Sequence, residues 1–283
     1  MTVPNETPLS VSDPQAADAA MKTIMAETRE QFPDAPSGDP ELVDLPGGLD
    51  ADGQTIRSVR VRELTGADEE RIYRALEAEN VAHLLSVILE CGTVVFPGLP
   101  ERDTQRWLKK LVVGDREAIL LGIRTATYGD EVEIAQWPCP ECGEPIDVKL
   151  NLREDVEFIK SDAIASSLLF DVPLRKGGKA VVRLPNGEDQ EAAGNDSRRN
   201  VQERKTILIQ RCVDHIEQPN GAKIMFAAFT SYALQMGVAD RNTITTEIAK
   251  RQPRPKYDDI RFKHDACGKE VGLALSLPDL FLR

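Results

Sequence analysis

The chain has 283 residues, enough for one large domain or two small ones. Hydrophobic residues make up 41% but aromatics only 5%, so aliphatic side chains must build the core. With 35 basic against 47 acidic residues the formal charge is −12, which repels phosphate backbones and argues against bulk nucleic-acid binding.

No stretch approaches the roughly 18 uncharged apolar residues of a membrane span, and the first residues show no basic region followed by an apolar run. The chain is expected to fold in a cytoplasm. Five cysteines are too few and too scattered for a disulfide scaffold, and two of them form a C-x-x-C beside a glycine, which points to a metal in a reducing compartment.

Residues 1–42 are read as a flexible acidic tail, with four prolines before Pro36 and no apolar periodicity that could face a sheet. Within it Ala17, Met21, Ile24, Met25 and Thr28 fall on one side of a short helical stretch that either docks on a partner or stays disordered when the chain is alone.

Beyond the tail the sequence repeats itself. Val61-Arg62, Gly66-Ala-Asp68-Glu-Glu70 and Cys91 recur as Val182-Arg183, Gly187-Glu-Asp189-Gln-Glu191 and Cys212, all 121 residues later. Near Pro219-Asn220-Gly221 the offset grows to 125, as four inserted loop residues would require. That register carries Trp107 to Tyr232, Asp115-Arg116 to Asp240-Arg241, Cys139 to His264 and Cys142-Gly143 to Cys267-Gly268. The predicted organisation is therefore α+β, with one repeat over 43–160 and a second over 161–283.

Each repeat is predicted to begin with a β-hairpin. Residues 56–63 and 179–184 alternate Ile or Val with Arg or Lys, and Lys176-Gly177-Gly178 has the composition of a tight turn. About three helices follow. Thr65 and Asn186, with Asp68 and Asp189 three positions on, read as N-caps of the first. The second should turn Val81, Leu84, Leu85 and Ile88 inward, with Ile207, Leu208 and Cys212 in its counterpart. Asp115 and Asp240 suit the N-cap of the last. Each repeat then closes with a zinc-ribbon hairpin, whose second strand alternates Ile146, Val148, Leu150, Leu152 or Val271, Leu273, Leu275, Leu277.

The hairpin turns carry the chemistry. Cys139-Pro-Glu-Cys142-Gly143 presents two thiolates from a tight loop, and His264-Asp-Ala-Cys267-Gly268 stands at the equivalent position with imidazole in place of the first thiolate. Two half-sites give one Cys3His set, the donors of a structural Zn2+, shared by the two knuckles. Three thiolates leave that centre with a formal charge of about −1, which Lys149, Lys263 and Lys269 would offset.

Other candidates are weaker. Cys91 and Cys212 read as core residues, because buried cysteine behaves as a small hydrophobe. Cys212-Val-Asp-His215 has ligand spacing, but Val94 stands opposite His215 in the repeat. His83 reads as a surface residue of its helix. Asp214 with His215 could form a catalytic pair, yet no nucleophile in a strained turn accompanies them, and no H-E-x-x-H, G-x-S-x-G or phosphate-loop motif is present. A non-enzymatic protein is expected. The alternative, a zinc-ribbon nucleic-acid adaptor, would bind through Arg57, Arg60 and Arg62.

Leu45-Pro-Gly-Gly48, Val-Arg-Glu-Leu-Thr65-Gly-Ala-Asp68-Glu-Glu70, the helix ending at Cys91, Gly114-Asp-Arg116, Cys-Pro-Glu-Cys142-Gly and the final Leu-x-Leu strand resemble the baseplate-hub and tail assembly proteins of T-even-like bacteriophages. The resemblance is fullest over residues 43–155 and continues more faintly to the C-terminus. It implies a structural or assembly role in a phage tail baseplate, or in a phage-derived contractile injection particle, built in the host cytoplasm. The partners it implies are other tail proteins: hub, tube or tape measure. No catalytic residues carry over. His264 departs from an all-cysteine pattern.

Overall fold

The computed structural model describes Lys22 and residues 38–281, apart from 79, 197–198, 226–230, 258–259 and 274–279. The predicted helical face of the tail, and Leu275 and Leu277 of the last strand, lie outside the described residues. Residues 39–283 form one compact unit of mixed helices and small antiparallel sheets, an α+β fold. No helix among the described residues is long and apolar enough to cross a membrane.

The first half opens on the predicted hairpin, β1 (Glu41–Ala51) against β2 (Gln54–Val61). Its two-residue turn, Asp52-Gly53, places both residues at positive φ, the geometry that matches strand twist. Leu45-Pro-Gly-Gly48 interrupts the register between Asp44 and Leu49. Helix α1 (Gly66–Leu76) starts at the predicted cap: Thr65 accepts from the Asp68 N–H, and Asp68 accepts from the Thr65 N–H at 2.8 Å. Helix α2 (Val81–Gly92) buries Leu84 and Ile88, whereas Val81, expected inward, is 57% exposed in its first turn.

A short strand that periodicity did not predict, β3 (Thr93–Val95), leaves α2 and pairs with β2. Helices α3 (Thr104–Lys110) and α4 (Val113–Tyr128) follow, then the hairpin of β4 (Glu131–Pro138) and β5 (Pro145–Asn151). A two-residue strand, β6 (Phe158–Ile159), leads out of this half.

The second half runs in the same order. Strands β7 (Leu169–Pro173) and β8 (Lys179–Arg183) form its hairpin, turning at Gly177-Gly178, both at positive φ. Helices α5 (Gly187–Gly194) and α6 (Val201–Cys212) lead into β9 (Val213–Glu217), which pairs with β8 and then with β10 (Lys223–Met225). Helices α7 (Tyr232–Gln235) and α8 (Val238–Arg251) precede β11 (Arg254–Pro255) and the hairpin of β12 (Ile260–Lys263) and β13 (Glu270–Leu273).

Bonds recur between the halves as well as elements. Arg62 forks onto Asp68, and Arg183 onto Asp189. Arg116 donates to the Leu108 carbonyl and the Ser86 hydroxyl; Arg241 donates to the Ala233 carbonyl and the Thr206 hydroxyl. These pairs correct one alignment. Ser86 with Thr206, the caps Asn80 and Asn200, and the pairings Val61↔Thr93 and Val182↔Val213 set the second helix and third strand 120 residues apart, not 121. Gly92, not Cys91, therefore matches Cys212, and Val95, not Val94, matches His215. Both cysteines are nevertheless buried, at 3% and 0% exposure.

Asp115 and Asp240 are not N-caps. Val112 and Gly237 hold those positions, and the two carboxylates sit one turn in, reaching back to the hairpin of their own half. Asp115 accepts from the Gly47 N–H at 2.6 Å, and Asp240 from the Arg175 N–H at 2.8 Å.

The halves are closely joined. Val113 N–H donates to the Pro185 carbonyl and Gly187 N–H to the Leu111 carbonyl, while β11 pairs with β6. A Cβ on Gly114 would collide with the Pro253 carbonyl, so this contact requires glycine. Ile260 and Val271 of the last hairpin are buried in the same apolar cluster as Leu49, Ile88 and Ile123 of the first half. Full burial of an aliphatic side chain of that size contributes about 1.5–3 kcal/mol.

Candidate metal centre

The two closing hairpins present matching turns. In the first, Cys139 N–H donates to the Glu144 carbonyl and Gly143 N–H to the Cys139 carbonyl; in the second, His264 and Lys269 repeat the former bond and Gly268 and His264 the latter. Gly143 and Gly268 have φ of 79° and 69°, values that a side chain would strain.

The turns face each other. One ligand atom each from Cys139, Cys142, His264 and Cys267 lies within 4.8 Å of all the others. His264 Nδ1 is 3.5 Å from Cys142 Sγ and 3.3 Å from Cys267 Sγ. A tetrahedral centre with metal–sulfur bonds near 2.3 Å and metal–nitrogen bonds near 2.05 Å has sulfur–nitrogen edges of about 3.6 Å. The donor atoms thus already stand close to the spacing of a coordination shell, and all four residue positions singled out in the sequence are brought together. The cysteines are free thiols.

Local electrostatics favour a thiolate at Cys139. Burial pushes this thiol up, but the backbone N–H groups of Glu141 and Cys142, together with the Cys142 and Cys267 thiols, outweigh it and bring the pKa down to about 7. Cys139 and His264 are buried and Cys142 is exposed, so the cluster is shielded on one side and open on the other.

Contacts around the cluster tie one hairpin to the other. Trp137 meets Phe262 edge-on with ring centroids 5.9 Å apart, and Lys269 pairs with Glu141 at 2.6 Å. An aromatic pair of that geometry adds about 0.5–1.5 kcal/mol beyond its buried area. Sequence reasoning did not identify this pair, although Trp137 and Phe262 are 125 residues apart, the offset that relates the knuckles. Lys149, read as offsetting charge at the site, pairs instead with Glu133 on the neighbouring strand.

The remaining candidates are placed elsewhere. His215 lies on β9 between Asp214 at 2.7 Å and Glu217 at 3.3 Å, and Glu217 is itself paired with Lys179 and Lys223. Cys212 is buried, and burial and the Asp189 charge push its thiol up to about 12. His83 is exposed on α2, as expected. Of the arginines suited to a phosphate backbone, Arg57 donates to the carbonyls of Gly47, Ser161 and Asp162, and Arg62 is forked onto Asp68.

The family model described as T4 bacteriophage base plate protein matches residues 43–282. No curated protein and no solved structure matches the chain.

Proposed function

The chain belongs to the T4 bacteriophage base plate protein family, and from that premise we propose that it is a non-enzymatic assembly component whose two halves are copies of one unit, clasped by a single structural zinc. The copies span 43–160 and 161–283, preceded by an acidic tail over 1–42. Membership makes the chain a structural phage tail protein that works in contact with other tail proteins. The finer reading is that it sits in or builds the baseplate beside hub, tube or tape-measure chains.

The observation that carries the zinc reading is the convergence of Cys139, Cys142, His264 and Cys267 from two separate hairpins. Zinc accepts this mixture of thiolates and imidazole in a tetrahedron, and a site with four protein ligands is closed to substrate. The metal would therefore hold a shape and activate no water. Because the donors come from both halves, binding energy at the site becomes energy that joins them. The reading of the halves as copies is supported by the recurring arginine bonds and by the matched turns.

Elemental analysis of the purified native chain is expected to find one zinc per molecule. Cys142→Ser and Cys267→Ser should lose that zinc, lower the thermal midpoint and increase aggregation. A native chain with no bound metal would overturn the clasp. A gene deletion that leaves particle yield unchanged would overturn the tail role.

A further inference from the structure

A cavity of about 530 Å3 lies between the halves, walled by α2 on one side and by α5, α6 and α8 on the other. Val81, Leu85, Ala193, Leu208 and Ile248 give it a mainly apolar lining. The space is open to solvent on one side, and sites that bind ligands reach this size.

Comparison of the halves shows how the space arises. In the register set by the shared bonds, Ala193 matches Ile72, Arg204 matches Leu84 and Thr245 matches Leu120. The three first-half residues are 7%, 2% and 1% exposed and close its interior. Each exchange in the second half removes aliphatic fill. Helix α5 also stops after 8 residues where α1 runs for 11, which withdraws a further turn from the same place.

We propose that this cavity receives a segment of another tail protein, which inserts aliphatic side chains where the first half uses Ile72, Leu84 and Leu120. The proposal rests on reading the halves as copies and the chain as a tail component. The missing fill consists of aliphatic side chains, so a peptide segment supplies what the site lacks. A second copy of the chain is the poorer occupant, because it brings another −12 of charge to the contact.

The test restores the fill. Ala193→Ile combined with Thr245→Leu should raise the thermal midpoint by several degrees and retain one zinc, while the yield of infectious particles falls at least ten-fold in a phage that depends on the variant. Full yield with the filled cavity overturns the proposal. If gene deletion abolishes particles and the filled variant does not, the tail reading survives and only the cavity reading fails. A second measurement covers a variant that folds poorly: Arg204, exposed at the rim, is replaced by p-benzoylphenylalanine and irradiated in purified particles. A cross-link to a different tail protein is expected; a cross-link to a second copy, or none, overturns the proposal.

Discussion

In the first half Ile72, Leu84, Ile88, Leu120 and Ile123 meet with less than a tenth of each exposed, while at matching register the second half offers Ala193, Arg204, Leu208, Thr245 and Ile248 around an open space. The polar framework differs far less. Both halves keep the arginine-to-aspartate fork beside the first helix, the arginine clamp between the second and last helices, and the carboxylate that reaches back to the hairpin. The contrast teaches that directional bonds fix where the elements lie, and apolar fill can then change without altering the fold. A buried donor or acceptor has one or two workable partners, whereas an apolar position accepts any shape that roughly fills it.

The largest expected break in this comparison is at the clamps. Arg116 is 2% exposed, and Arg116→Ala would leave the Leu108 carbonyl and the Ser86 hydroxyl without their donor, at a cost of about 3–5 kcal/mol. Arg241→Ala removes the matching bonds at a half-buried site and should cost about 1 kcal/mol. Urea unfolding of the two variants measures both. Equal losses would mean that the halves are equally dependent on their clamps.

Next come the apolar positions. Leu120→Ala is expected to cost about 2–5 kcal/mol by opening a void in a closed interior. Thr245→Ala, beside space that is already open, should change stability by no more than about 0.5 kcal/mol. A calorimetric loss at Thr245 comparable to that at Leu120 would contradict the hollow second half.

The last contrast is a dependence on pH of opposite sign at two carboxylates. Burial raises the pKa of Asp115 to about 7, against the pull of the Gly47 and Gly48 N–H groups and the Arg57 charge. The folded chain therefore keeps a proton that the unfolded chain releases near pH 4, and this contribution is lost as the pH rises from about 4 to about 7. For Asp189, burial opposes ionisation but Arg183, the Asn186 N–H and Arg211 prevail and lower the pKa, so its contribution is present above about pH 4 and disappears on acidification. Asp115→Asn should flatten the stability profile between pH 4 and 7, whereas Asp189→Asn should leave that slope in place and weaken the loss below pH 4.

The sequence made some of this legible. Capping residues are local, so Thr65 with Asp68 and Asn186 with Asp189 could be recognised from spacing alone. The Cys/His cluster was legible because C-x-x-C and H-x-x-C recur at one offset, and that offset brought together residues 122 apart. The clamps were visible as Asp115-Arg116 and Asp240-Arg241, but attention fell on the aspartates; an arginine that reaches backbone carbonyls eight residues upstream has no spacing rule to announce it. Strands β3 and β9 begin directly after a helix with no intervening turn residues, so composition does not mark them. The change of offset from 121 to 120 was hidden by two cysteines that happen to lie one residue apart in register. The cavity was invisible because each exchange that makes it is ordinary when taken alone.

The distribution of Cys139, Cys142, His264 and Cys267 along the chain has a consequence during synthesis. Cys139 and Cys142 leave the ribosome first, and His264 follows 122 residues after Cys142, an interval of about 6–25 s at about 5–20 residues per second. For that time the first knuckle is a two-thiolate site with no second half to close it. A chain interrupted anywhere between the knuckles can never complete the tetrahedron. The proposed clasp would therefore distinguish a finished pair of halves from a fragment before either is offered to a growing tail.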